Sequence, residues 1–337
     1  MILTHTVVVP LFVHVSGNFH FLYLPLYEHL NMNVKISTIN EYGELKSIIL
    51  GSVENFQWPK NDEEFNRAIA RSTYHETLKP GKAPMHVIND AREDLEKLSS
   101  IMEGRGIEVK RPTCSMEHWA YSARDILLTV GNRVIQCPTP FSSRANELQM
   151  YPFLQDADCE IITAPRPKNQ QEPMFDAANV LKMNDKLLYS MSHSANEAGA
   201  DWLQQQVGSE FEVIKWRAVE HEITHIDSTL LSLSKDTVLV NASRVKNDQL
   251  PSFMQDYTKI WIDDVRPGPY HHFPYASKWI GINVLSLDPE TVVVDEIQTE
   301  LQEKLQGAGY TIITTSMRQS RTLGGGFHCV TCDLERE

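Results

Sequence analysis

The stretch LGGGFHCVTCDLE, residues 323 to 335, sets three glycines, a His-Cys pair and a second cysteine within thirteen positions. Two cysteines three apart can hold a metal, exchange electrons as a dithiol, or leave one thiol to act alone as a nucleophile. A structural zinc site needs a second Cys or Cys-His pair at comparable spacing. None exists around the five cysteines, at 114, 137, 159, 329 and 332. A thioredoxin-like CxxC opens a helix, whereas FHCVTCDL is short, partly β-branched and preceded by Gly324, Gly325 and Gly326, which predicts a strand. On a strand Cys329 and Cys332 point to opposite faces, and His328 points away from Cys329. An inert buried thiol is the bland reading of any single cysteine. The glycine run, which lets backbone approach a ligand closely, favours a lone nucleophile at Cys329 with a base supplied from elsewhere.

That base is sought in VEHEITHIDSTLLSL. The segment contains a formal HExxH, His221 to His225, which in a zinc protease places both histidines one helical turn apart. Here it runs into the alternating pattern of a hairpin, and on a strand the two histidines stand roughly 13 Å apart at ~3.3 Å per residue. No glutamate follows between Glu222 and Glu290 to serve as a third ligand, so no metal site is expected. Read as a strand, the segment places His225 and Asp227 on one face. Asp176, in PMFDAANVL, can orient an imidazole and hold it protonated, as acid-base catalysis requires. Asp125, in ARDILL, stands at the same place in the preceding repeat, just before a hairpin.

Those repeats are the elements that must position the site. Four segments, beginning at Ile126, Val180, Leu230 and Asn283, read as two apolar strands around a turn. Their turn pairs are Gly131-Asn132, Asn184-Asp185, Lys235-Asp236 and Pro289-Glu290, mostly residues that turns favour. Each hairpin is followed by a helix-like stretch and another strand. Closing strands begin near Ile107, Glu160, Phe211, Lys259 and Tyr310, a period of roughly 50 residues that suits blade-type repeats. The expectation is an α/β fold: a fivefold pseudosymmetric α/β propeller of ββαβ units, with residues 32–337 as one catalytic domain. Carboxylates recurring at the strand starts of such a ring converge on its axis.

Composition sets outer limits. With 42% hydrophobic residues the chain can build a core of ordinary size, and a net charge of −13 argues against a nucleic-acid or anionic-membrane partner. An odd, scattered set of cysteines suits a reducing compartment, so a cytoplasmic protein is expected. Residues 1–31 do not conform: they are apolar and aromatic, with no Lys or Arg before Lys35, and Pro10, Ser16-Gly17-Asn18 and Pro25 interrupt the run. That is neither a signal peptide nor a membrane span, and the expectation is an extension outside the native fold, from a misassigned start.

Seven segments together resemble the guanidine-modifying superfamily and, within it, the glycine and inosamine-phosphate amidinotransferases: NEYGELKSIILGS, ARDILLTVGNRVIQCP, PMFDAANVL, HIDSTLL, NASRV, SKWIGINVL and SRTLGGGFHCVTCDL. They span Asn40 to Leu334 in family order. The resemblance implies a fivefold α/β propeller that needs no cofactor and moves the amidino group of L-arginine to a small amine acceptor, an aminocyclitol or amino acid, releasing ornithine. It makes Cys329 the nucleophile, His225 the proton donor and acceptor, and Asp176 the partner of His225. Asp125 and Asp227 would grip the substrate guanidinium, Arg244 the arginine carboxylate, and Ser277 would line the same site. Family members are often dimers, so a homodimer is implied. Two departures stand out: a basic tail common in the family is replaced by DLERE, and Ala276-Ser277 stands where glycine-using members carry Ser-Ser. With Thr224 before His225, the second argues against glycine as acceptor. The alternative within the superfamily is an arginine-deiminase-like hydrolase that gives citrulline.

Overall fold

Five times among the described residues an antiparallel pair of strands is joined by a third strand running parallel to one member of the pair. The computed structural model describes residues 8–15, 18–25, 34–71, 80–113, 119–218, 224–268 and 276–337. Four sheets take their strands in chain order: Leu127–Val130, Arg133–Gln136 and Glu160–Thr163; Val180–Met183, Lys186–Ser190 and Glu212–Trp216; Leu230–Ser234, Thr237–Asn241 and Thr258–Ile262; and Leu285–Asp288, Thr291–Asp295 and Thr311–Thr315. The fifth joins distant parts of the chain. Thr331–Arg336 pairs antiparallel with Leu45–Leu50, which pairs in parallel with Glu108–Lys110.

The hairpins follow from local chemistry. In the first two, Gly131 (φ 59°) and Asn184 (φ 61°) take the left-handed conformation that tight turns demand. The connections before the third strands differ from the uniform helices expected. Helices occupy Met85–Glu103, Glu197–Val207 and Thr299–Gly307. Short 3-10 turns replace them at Ser142–Arg144, Glu147–Met150 and Pro152–Asp156, and again at Asn247–Gln249 and Ser252–Met254. Pro152 and Pro251 give the reason, since each removes a backbone donor and breaks an α-helical run.

A 3-10 turn also precedes each of the four in-order hairpins: Ala123–Asp125, Ala177–Asn179, Ile226–Ser228 and Lys278–Ile282. The first packs on the second, the second on the third and the third on the fourth. Behind them the sheets and helices bury aliphatic faces against one another, with Leu231, Leu239, Val292 and the helical Leu301 in one cluster and Leu128, Ile135, Leu187 and the helical Leu203 in another. Each such side chain removed from water contributes about 2 kcal/mol, so the turns stand on a rigid base.

The chain divides into two compact units, Met1–Val34 and Lys35–Glu337. In the first, Val8–Val15 and Asn18–Pro25 form an antiparallel pair, with Val8 opposite Pro25 and Val15 opposite Asn18. No helix among the described residues is long and apolar enough to cross a membrane.

Candidate active site

Cys329 does not lie on a strand. A short helix, Ser320–Leu323, ends at Gly324 in the left-handed conformation (φ 81°), and residues 327–330 form a turn before the strand Thr331–Arg336 begins. Close packing demands the next two glycines. A Cβ on Gly326 would stand 2.7 Å from Asn283 Cβ, and one on Gly325 would stand 3.2 Å from Cys329 Cβ. The turn is pinned from two sides: the Cys329 amide donates to Asn283 Oδ1 at 2.9 Å, and the Arg124 amide donates to the Cys329 carbonyl at 3.2 Å.

The turn overturns the face assignment for His328. Its ring does not point away from Cys329. His328 Nδ1 lies 3.1 Å from Asp227 Oδ2, the same oxygen that faces Cys329 Sγ at 3.1 Å. Cys332 has a different outlook, its Sγ donating to the Leu127 carbonyl at 3.3 Å. Burial holds the Cys332 thiol up at about 11. Burial also pushes the Cys329 thiol far above its ordinary range, and the charges of Asp227 and Asp125 add to the effect. In this state Cys329 is a thiol.

His225 and Asp227 share a 3-10 turn rather than a strand face. His225 is the residue before Ile226–Ser228, and Asp227 lies within it. Of the HExxH segment, residues 221–223 lie outside the described residues. His225 Nε2 stands 3.0 Å from Asp176 Oδ2, and Nδ1 stands 3.6 Å from Asp125 Oδ1. Burial pulls this imidazole toward neutrality, but the Asp125 charge and the Asp176 hydrogen bond outweigh it and raise the group to about 9. At neutral pH His225 is an imidazolium with a proton to give.

Three carboxylates thus surround one thiol and one imidazole, each from the 3-10 turn before a different hairpin. Asp125 is held from behind by the Arg144 guanidinium, which also binds Glu147 at 2.7 Å. Among the described residues, Asp125 Oδ1 and Asp176 Oδ1 are buried acceptors with no hydrogen-bond partner. Each such acceptor costs about 1–3 kcal/mol, and a planar cation rich in N–H groups would satisfy them. A second cationic point lies nearby in the chain's order: Arg244 Nη1 donates to Ser228 Oγ at 2.8 Å and Thr229 Oγ1 at 3.0 Å, and Nη2 reaches Ser277 Oγ at 3.4 Å. Burial lowers Arg244 to about 10, against the pull of Asp227. It remains charged and able to take a carboxylate.

Sequence reasoning missed the residues that hold these groups still. Asn179 Oδ1 accepts from the Asp176 amide at 3.0 Å, and its Nδ2 donates to the Thr224 carbonyl at 2.6 Å, so one fully buried amide ties the Asp176 turn to the residue before His225. Asn283 bridges Cys329 and Asp227, its Nδ2 donating to the Asp227 carbonyl at 3.1 Å. Arg144 and Glu41 were missed as well. Asn179 and Asn283 do lie inside the motif segments, a signal that could have singled them out; Arg144 offers none, and its partners emerge only in the fold.

No protein-family model matches the chain. Inosamine-phosphate amidinotransferase 1 of Streptomyces glaucescens is 33% identical over 337 residues, covering 89% of this chain and 97% of that protein. The L-arginine:L-lysine amidinotransferase of Pseudomonas savastanoi pv. phaseolicola is 27% identical, covering 75% of this chain and 80% of that one. Among solved structures, an inosamine-phosphate amidinotransferase from Streptomyces griseus superposes with a TM-score of 0.81 at 31% identity, over 89% of this chain and 97% of that one. The chain belongs to the amidinotransferase family.

Proposed function

We propose that this enzyme takes the amidino group of L-arginine onto Cys329 and passes it to an amine, on five sheets arranged as the blades of a fivefold propeller. The observation that carries the reading is the approach of Cys329 Sγ to Asp227 Oδ2, beside a protonated His225 and two unsatisfied carboxylate oxygens. A guanidinium is resonance-stabilised and a poor electrophile, so it must be held in line with its attacker. Asp125 and Asp227 hold it by charge-assisted hydrogen bonds, and Arg244 with Ser277 holds the far carboxylate.

The cation has a second effect. Its positive charge offsets the carboxylates that disfavour the thiolate, so Cys329 is activated when arginine is in place. The thiol gives its proton to water, sulfur bonds to the guanidino carbon, and the bond from that carbon to the ornithine nitrogen breaks as His225 delivers its proton there. Ornithine leaves. The acceptor amine attacks the amidino carbon, neutral His225 takes the amine's proton, the carbon–sulfur bond breaks, and sulfur recovers a proton from water. One nucleophile serving two amines in turn gives ping-pong kinetics.

The acceptor is a primary amine of an aminocyclitol or amino acid; Ala276, Ser277 and Thr224 argue against glycine. The four described cysteines are free, in keeping with a cytoplasmic setting. Intact-protein mass spectrometry after brief incubation with arginine alone tests the scheme. An adduct of one amidino group on the Cys329 peptide with ornithine released is expected, and an amine panel then identifies the acceptor that discharges it. Citrulline without an adduct would replace the transferase with a hydrolase.

A further inference from the structure

His328 lies beside the nucleophile, is 4% exposed, and has no role in the scheme above. Both its ring nitrogens face carboxylates: Nδ1 is 3.1 Å from Asp227 Oδ2, and Nε2 is 2.6 Å from Glu41 Oε2. A neutral imidazole has one N–H and one bare nitrogen. Either tautomer would press a lone pair against a carboxylate oxygen, so the geometry requires both protons or a protonated acid.

Glu41 is not that acid. Its Oε1 lies 3.8 Å from Arg124 Nη1 and accepts from the Lys182 amide at 3.4 Å. Burial pushes the Glu41 carboxyl up, but the His328 and Arg124 charges outweigh it and hold it at about 2. Asp227 is likewise held low, with burial opposed first by His328. The groups facing this imidazole are therefore two carboxylates, the Arg124 guanidinium and the Cys329 thiol, with buried Lys182 beyond Glu41. Arg124 also fixes the backbone, its Nε donating to the His328 carbonyl at 2.8 Å.

We propose that His328 is a positioning residue: its imidazolium, braced by Glu41, locks the Asp227 carboxylate in the orientation that faces Cys329 and a bound guanidinium. Without that brace Asp227 has the thiol as its remaining polar side-chain partner at Oδ2, and a carboxylate free to turn loses its aim at the substrate. The proposal rests on the roles of Cys329 and Asp227 given above.

The test uses 2-chloroacetamidine, a small amidinium that alkylates a thiol next to an amidinium-binding carboxylate, with neutral 2-chloroacetamide as control. His328→Ala removes both ring donors, and His328→Asn restores one at the place of Nδ1. The alanine variant is expected to slow inactivation by the amidinium at least about tenfold, the size of a lost charge-assisted hydrogen bond. The asparagine variant should stay within about threefold of the starting protein, and alkylation by the amide should change little in either. An unchanged rate in His328→Ala, equal losses in both variants, or parallel losses with both reagents would overturn the proposal. Should His328→Ala fail to fold, Glu41→Gln takes its place; a rate there equal to that of the unaltered protein would overturn it equally. Ornithine release by the unaltered protein is measured alongside. Its failure would sink the transferase reading, while the alkylation series would still decide the role of His328.

Discussion

Asp176→Asn isolates the electrostatic part of the His225 assignment. The substitution keeps shape and leaves an amide oxygen at 3.0 Å from Nε2, but removes the charge. Two carboxylates in direct contact lift His225 from 6.5 to about 9 against burial. Removing one forfeits roughly half of that lift, at about 1.4 kcal/mol per unit, so the alkaline limb of turnover should move down by about one unit. At pH 8 the protonated fraction then falls from roughly nine-tenths to about a third or a half. Loss of the fixed ring orientation adds a pH-independent drop on the order of a hundredfold in kcat. Stability carries the same signature. A raised imidazole stabilises the fold fully below pH 6.5 and loses that contribution as pH rises through about 9. The melting difference between variant and parent should therefore narrow across that window. The assay is ornithine release from pH 6 to 10, with thermal melts in the same buffers. A fall in kcat with the alkaline limb unmoved would refute the reasoning, because Asp176 would then be shaping the site without holding the proton.

Cys329→Ser should abolish amidino transfer, while Cys332→Ser, which keeps a donor for the Leu127 carbonyl, should retain most of it; comparable losses in ornithine assays would mean the two thiols act together. Asp227→Asn should raise the arginine KM and lower kcat, by about a hundredfold or more in kcat/KM, without unfolding the protein. Unchanged kinetics would remove Asp227 from the site. Gly326→Ala forces a Cβ within 2.7 Å of Asn283 Cβ and should displace the residue that holds both Cys329 and Asp227. A loss of about 1–3 kcal/mol in melts, with a larger loss in activity than in stability, is the expected result.

The hairpins were legible because their signals are local: alternating apolar residues on either side of Gly131 or Asn184 carry their own geometry. Cys329 was harder. The β-branched pattern of Val330-Thr331-Cys332 does begin a strand, but at Thr331, and extending it two residues back assigned His328 and Cys329 to opposite faces of a strand that is a turn there. His225 suffered the same error before Leu230. In both places a turn, a 3-10 turn at Ile226–Ser228 and an irregular one at 327–330, aims side chains that strand alternation cannot. The bracing contacts were invisible for a different reason. Arg144 meets Asp125 across 19 positions, Asn283 meets Cys329 across 46 and Glu41 meets His328 across 287, and no local pattern records such pairings. Resemblance named candidate reacting groups; it said nothing of Asn179, Asn283, Arg144 or Glu41.

The strand that starts two residues after Cys329 closes on Leu45–Leu50, nearly the whole chain length away. Contacts of such separation form late, since the intervening chain must lose its freedom before they give anything back. The turn bearing Cys329, and with it the pairing of thiol and Asp227, therefore assembles with this last seam. Integrity and reactivity are coupled: damage that loosens the seam anywhere along Leu45–Leu50 should silence the enzyme before it releases one with altered selectivity.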